Sequence, residues 1–176
     1  MLYVGDLMTK RKFYAELRID TKHYPTTVYE ILEALFPNHR EYTDFAYFLV
    51  KKARDEGWDK GEWIRIILEF VKEYSKTYNL GISPGDVEEL LQKYEEYNER
   101  YSATTRNNKI RALAREKGLD IDTWYYKYRS IIKRLKRLGM IYEKNGHYSQ
   151  SKEFLRILQK MTEALIDFYS GKDEEW

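Results

Sequence analysis

Cysteine is absent from this 176-residue chain, and histidine occurs only three times, at His23, His39 and His147. Without a thiol there is no zinc-thiolate cluster, no iron–sulfur ligation and no cysteine nucleophile. Three scattered histidines do not make a histidine metal site, so the expectation is a protein with no metal and no cofactor. Long hydrophobic runs are missing too. The longest, Phe45-Ala46-Tyr47-Phe48-Leu49-Val50, falls far short of the roughly 20 apolar residues that cross a bilayer. The N-terminus, Met1-Leu2-Tyr3-Val4-Gly5-Asp6, lacks a basic stretch followed by an apolar one, so a cytoplasmic protein without a membrane partner is expected. Glutamine is down to three residues while lysine, arginine and glutamate abound, a usage that fits a thermophile.

What is present is 43% hydrophobic and 34% charged residues, enough apolar side chain for a folded core. The net charge of +2 hides a segregation along the chain. Residues 1–102 hold 15 Lys/Arg against 19 Asp/Glu, residues 103–152 hold 13 against 4, and residues 153–176 hold 3 against 6. A block of net +9 therefore lies between two acidic ones. Such a block suits the phosphates of a polyanion, while the acidic flanks keep the rest of the chain away from it; a solvated lysine-rich helix face is the competing reading.

Apolar periodicity and end signals give a mainly helical chain. Residues 1–24 alternate around Phe13, Ala15, Leu17 and Ile19 like a short strand or arm. Thr26 or Thr27 then caps a helix that Pro37 stops, Asn38 caps a second ending at Gly57, and Asp59 begins a third. Ser83-Pro84-Gly85-Asp86 is a strong helix start, and the helix it opens runs to Tyr101. Thr104 or Thr105 caps a short helix closed by Gly118, and Asp120 or Asp122 starts a basic helix that reaches Leu138. Two short alternating segments follow around Asn145-Gly146, the dipeptide suited to a tight hairpin turn. A last helix runs from a Ser149 or Ser151 cap to Tyr169. These signals divide the chain into a helical domain at 1–80, a second domain at 83–170 and an acidic tail at 171–176.

The order helix, short helix, basic helix and hairpin over residues 83–170 resembles the winged helix-turn-helix superfamily of DNA-binding domains. Tyr128, Ile132 and Leu135 match the inward positions of its recognition helix, Ala114 and Gly118 its small residue and turn glycine, and Met140-Ile141 with Glu143 to His147 its apolar pair and wing. The aromatic run Trp124-Tyr125-Tyr126 at the helix start departs from the family by its bulk. The resemblance implies an N-terminal helical domain followed by a winged helix with a small β-hairpin and a long C-terminal helix. It implies a non-enzymatic, sequence-specific duplex DNA-binding protein, a small transcriptional or replication-control regulator of a thermophilic microbe, plasmid or virus.

On this reading Arg129 pairs with a guanine edge and Ser130 donates or accepts beside it. Lys127, Lys133, Arg134, Lys136 and Arg137 reach phosphates from the same helix, and Arg106, Lys109 and Arg111 from the one before. Trp124, Tyr125 and Tyr126 contact base or sugar, Thr123 joins the DNA-binding residues at the same helix start, and Lys144 at the hairpin tip touches a neighbouring groove. Most of the 17 tyrosines fall on inward stripes and belong to the core. Two further readings stay open: a winged helix that docks protein, and a helical accessory domain for single-stranded DNA.

A segment from Ala53 to Trp63 aligns with Ala114 to Trp124, keeping the turn glycines Gly57 and Gly118 in register, so the first domain reads as a degenerate helix-turn-helix. In the last helix Phe154, Leu158, Met161, Leu165 and Phe168 follow a 4-3-4-3 spacing, the period of a helix seam. Part of that stripe is expected on the Val87–Tyr101 helix. The remainder is expected to form a homodimer, through this helix or the N-terminal domain, the alternative being cover by the N-terminal domain of the same chain, whose helices from Val28 to Tyr74 offer aromatic surface.

Overall fold

A computed structural model describes Pro25 and residues 27–170; the expected strand or arm at 1–24 and the tail at 171–176 lie outside the described residues. The elements in order are α1 (Val28–Leu35), α2 (Arg40–Asp55), β1 (Trp58–Asp59), a 3-10 turn (Lys60–Glu62), α3 (Trp63–Tyr78), α4 (Pro84–Arg100), α5 (Ala103–Glu116), α6 (Ile121–Leu138), β2 (Ile141–Lys144), β3 (His147–Gln150) and α7 (Glu153–Tyr169). The fold is thus mainly helical with one small antiparallel sheet, ordered β1-β3-β2.

Local chemistry explains most of the ends. Thr27 and Glu30 form a reciprocal capping box at α1, each side chain accepting the other's backbone N–H. Ser83 caps α4 with Pro84 in its first turn, and Asp120 caps α6. At α5 the cap is Ser102 rather than Thr104 or Thr105, because the Thr105 N–H is itself the donor that Ser102 Oγ accepts. Asn38 does not cap α2: it sits at φ 66°, and His39 takes the cap position with no side-chain bond.

The segment after α2 departs most from expectation. Asp59 does cap the 3-10 turn that runs straight into α3, but it also belongs to an unexpected strand: Gly57 turns the chain at φ +69°, and Trp58 and Asp59 pair with Tyr148 and His147 of β3. A Cβ on Gly57 would lie 2.5 Å from the Tyr148 carbonyl oxygen, so the close strand approach requires glycine here. Trp58 is 1% exposed and its indole Nε1–H donates to the Tyr128 hydroxyl at 2.9 Å, tying β1 to α6. Asp59 meets His147 Nδ1 at 2.8 Å on the outer side, and Glu62 accepts the Asp59 N–H.

Residues 25–80 and 83–170 share one hydrophobic core. Phe45 of α2 stacks on Phe70 of α3 at 4.3 Å, and the Trp124 ring of α6 meets both edge-on or tilted. Ile131, Ile132, Leu135 and Leu138 continue the buried stripe of α6, and Tyr148 closes it from the hairpin. Asp44, 6% exposed, accepts hydrogen bonds from the hydroxyls of Tyr29 and Tyr78, joining α1, α2 and the end of α3. At the other end, Gly139 ends α6 at φ +72°, and Asn145 and Gly146 both take the positive φ of a two-residue hairpin turn.

The last helix does not lie on α4. No residue of α7 is buried, and only Phe154 packs against the core. The hairpin delivers α7 beside Gly139, whose carbonyl accepts the Phe154 N–H, while α4 is already packed between α3 and α5.

Removing the Tyr128 hydroxyl as Tyr128→Phe leaves the Trp58 N–H buried without a partner. The expected loss is about 1–3 kcal/mol of unfolding free energy in a urea titration; an unchanged midpoint would show that this bond does not hold β1 in place.

Candidate nucleic-acid interface

The inward stripe of α6 forces its other face outward. Tyr126 is 72% exposed, and Arg129, Ser130, Lys133 and Arg137 are exposed on the same side of the helix. Next to this face, between α6, the 3-10 turn and the hairpin, lies an open groove of about 980 Å³. Tyr128, Ile132 and Tyr148 line its inner part, and Lys60, Arg129, Lys133 and Lys136 stand along it. Trp63 and Tyr125 form one wall with ring centroids 4.3 Å apart, and the Arg129 guanidinium lies 5.6 Å over the Tyr125 ring. An aromatic wall edged by cations suits a phosphorylated, base-bearing chain: the rings offer flat apolar contact and the cations meet phosphate oxygens.

One carboxylate interrupts the cations. Glu143 accepts from Lys136 at 2.7 Å and from Lys60 at 3.3 Å. These bonds, Lys136 first, hold its carboxyl below the usual glutamate range. Tyr148 beneath it is pushed up to about 12, chiefly by burial and then by the Glu143 charge, so its hydroxyl stays protonated across the physiological range. Burial raises Tyr128 as well.

The structure gathers Tyr125, Tyr126, Arg129, Ser130, Lys133 and Lys136 into the groove and its edge, with Arg137 further along α6. Lys144 is exposed where the hairpin turns. Other expected contacts have been drawn into the fold. Arg106 is the clearest correction: it is 6% exposed, its guanidinium lies 4.4 Å over the Tyr94 ring, and it donates to the Gly61 carbonyl at 3.1 Å and to the Asn98 and Asn107 side chains. It fastens α5 and α4 to the 3-10 turn, which leaves little of the guanidinium facing solvent. Trp124, at 5% exposure, is a core residue.

Lys127 pairs with Glu41 of α2 and lies 4.3 Å over the Trp124 ring. Arg134 donates to the Leu35 carbonyl at 2.9 Å and covers the Phe36 ring, closing the end of α1. Arg111 binds Asp122, with Arg115 3.7 Å away on the other carboxylate oxygen, so the carboxylate in the first turn of α6 is neutralised and holds these two α5 cations. Thr123 donates to Asp120 at 2.8 Å, as a cap partner. Lys109 is exposed but sits on α5, 4.8 Å over the Tyr101 ring. On α6 the exposed cations Arg129 and Lys133 therefore sit in the middle of the helix, not in its first turn.

No family model matches the chain, nor does any curated protein or solved structure with which it was compared. Of the residues sequence reasoning missed, Lys60 and Trp63 reach the groove because β1 pairs with β3, and Glu143 because β2 pairs with β3. The available signal was Gly57-Trp58-Asp59-Lys60-Gly61, two glycines bracketing an aromatic, which reads as a turn-strand-turn as readily as a helix start. Among the described residues no group of His, Cys, Asp or Glu is arranged to hold a metal ion. No helix among them is long and apolar enough to cross a membrane.

Because Glu143 titrates below its unfolded value, it stabilises the fold above the ordinary glutamate range, and that contribution is lost as pH falls through the lowered value. Carbon-detected NMR should show the Glu143 midpoint below that of an exposed glutamate, moving up in Lys136→Ala. A midpoint indifferent to that substitution would mean that Lys136 does not hold the carboxylate in solution.

Proposed function

We propose that this chain is a duplex DNA-binding protein of winged helix-turn-helix type, a small transcriptional or replication-control regulator that docks the exposed face of α6 in the major groove. The observation that carries the reading is the alignment of Arg129, Ser130, Lys133 and Arg137 on one exposed helix face, inside the segment of net +9 and beside a hairpin bearing Lys144. A helix of this length fits the major groove, and an arginine fork among lysines combines base-edge with phosphate contact. The β2–β3 hairpin directly after α6, with Ala114 buried and Gly118 at φ +87° in the turn before α6, supports the winged-helix reading.

The neutralised carboxylate in the first turn of α6 moves the expected contact centre toward Arg129 and Lys133. The Trp63–Tyr125 wall favours a second reading, in which unpaired bases stack in the groove while Arg129 and Lys133 follow the backbone.

Electrophoretic mobility shifts with random duplex, a selected duplex and single strand at two salt concentrations separate these readings. Lys133→Ala is expected to weaken every duplex alike and to lower the log–log salt slope by about one. Arg129→Ala is expected to cost about 1–3 kcal/mol on the selected site and little on random DNA. Arg106→Ala, by contrast, should lower thermal stability without changing the salt slope. Binding indifferent to salt would overturn the proposal, and single strand outcompeting duplex would transfer it to the groove.

A further inference from the structure

The strongest unexplained feature is α7. Seven of the eleven large hydrophobic side chains that the described residues expose lie on it: Leu155, Leu158, Met161, Leu165, Ile166, Phe168 and Tyr169. Exposure climbs from 37% at Leu158 and 38% at Met161 to 64% at Phe168 and 83% at Tyr169, away from the helix's root at Gly139. A 17-residue helix gains little from propensity alone in water, so this face requires a cover.

We infer that α7 pairs antiparallel with α7 of a second copy of this chain, about a two-fold axis near Met161. Three observations select that occupant. The 4-3-4-3 spacing of Phe154, Leu158, Met161, Leu165 and Phe168 is the period at which two helices keep one seam in contact. The positions flanking the seam, Leu155, Ile157, Thr162 and Ala164, carry no charge, so a second copy meets no like-charge repulsion there. The seven exposed side chains leave on the order of 700 Å² in water, close to the roughly 800 Å² per partner of a standard interface.

The gradient of exposure sets the direction: antiparallel pairing lays the most exposed end, Phe168 and Tyr169, over the second copy's root at Phe154, and it opposes the helix dipoles. Met161 then meets its own symmetry mate, and Phe168 lies far from its own. The inference rests on α7 alone and is independent of what α6 binds.

The chain has no cysteine, so single-cysteine variants report on the seam without background. Light scattering at micromolar concentration is expected to give twice the 21.4 kDa chain mass. Leu165→Lys combined with Phe168→Lys is expected to return it to one chain, with α1 to α6 folded as judged by the near-UV spectrum. On mild oxidation Met161→Cys should cross-link, while Lys160→Cys on the opposite face and Phe168→Cys at the far end should not. A single-chain mass for the unmodified protein would overturn the inference, since the cover would then come from the same chain. So would a double variant that stays paired, and efficient Phe168→Cys cross-linking would overturn the antiparallel arrangement.

Discussion

The hydrogen bond from the Trp58 indole to the Tyr128 hydroxyl is the joint on which the arrangement turns. Both groups are buried, so each would pay the desolvation of an unmet donor or acceptor without the other. Through this bond and the two-residue pairing of β1 with β3, the first half of the chain is fastened to both α6 and the hairpin. Lys60 and Trp63 follow immediately from β1, so their place beside Lys136 and Tyr125 is a consequence of that joint. Arg106 reinforces it from the other side by holding the Gly61 carbonyl.

How much of this was legible in the sequence depends on whether the information was local. Helix ends set by short-range chemistry, such as Ser83-Pro84, Asp120 and Gly139, could be read directly, and so could the Asn145-Gly146 turn. The inward stripe of α6 followed from periodicity. What escaped was set by contacts distant in sequence. Nothing near Trp58 says that its partner is 70 residues away, and a two-residue strand has no periodicity to detect. The division at residue 80 followed the strong helix start at Ser83 and the resemblance over 83–170, but apolar burial takes no account of that boundary, and Phe45, Phe70 and Trp124 meet across it.

The same distinction governs the expected contacts. Counting basic residues on a helix finds the exposed face of α6 but does not separate an open cation from one consumed by the fold. Arg106, Lys127 and Arg134 carry the same formal charge as Lys133, yet each spends it on a carbonyl, an aromatic ring or an acid from another element. Arginine at such sites is a multi-donor clamp as much as a charge, which is why the basic block contributes to holding the fold together.

This internal use of charge bears on how long a complex would last. Of the 13 basic side chains in the block, Arg106, Arg111, Arg115, Lys117, Lys127 and Arg134 are engaged by other parts of the chain, and Lys136 shares Glu143 with Lys60. The cationic surface on one copy is therefore short, and it would displace few counterions from a polyanion. A grip of that size lets go quickly. Residence would come from tethering, because when one of two linked faces lifts off, the other keeps it at high local concentration over the same stretch. On the proposed reading, with α7 paired as inferred, such a chain would trade strength in each copy for rapid exchange and gain persistence only where two faces land together.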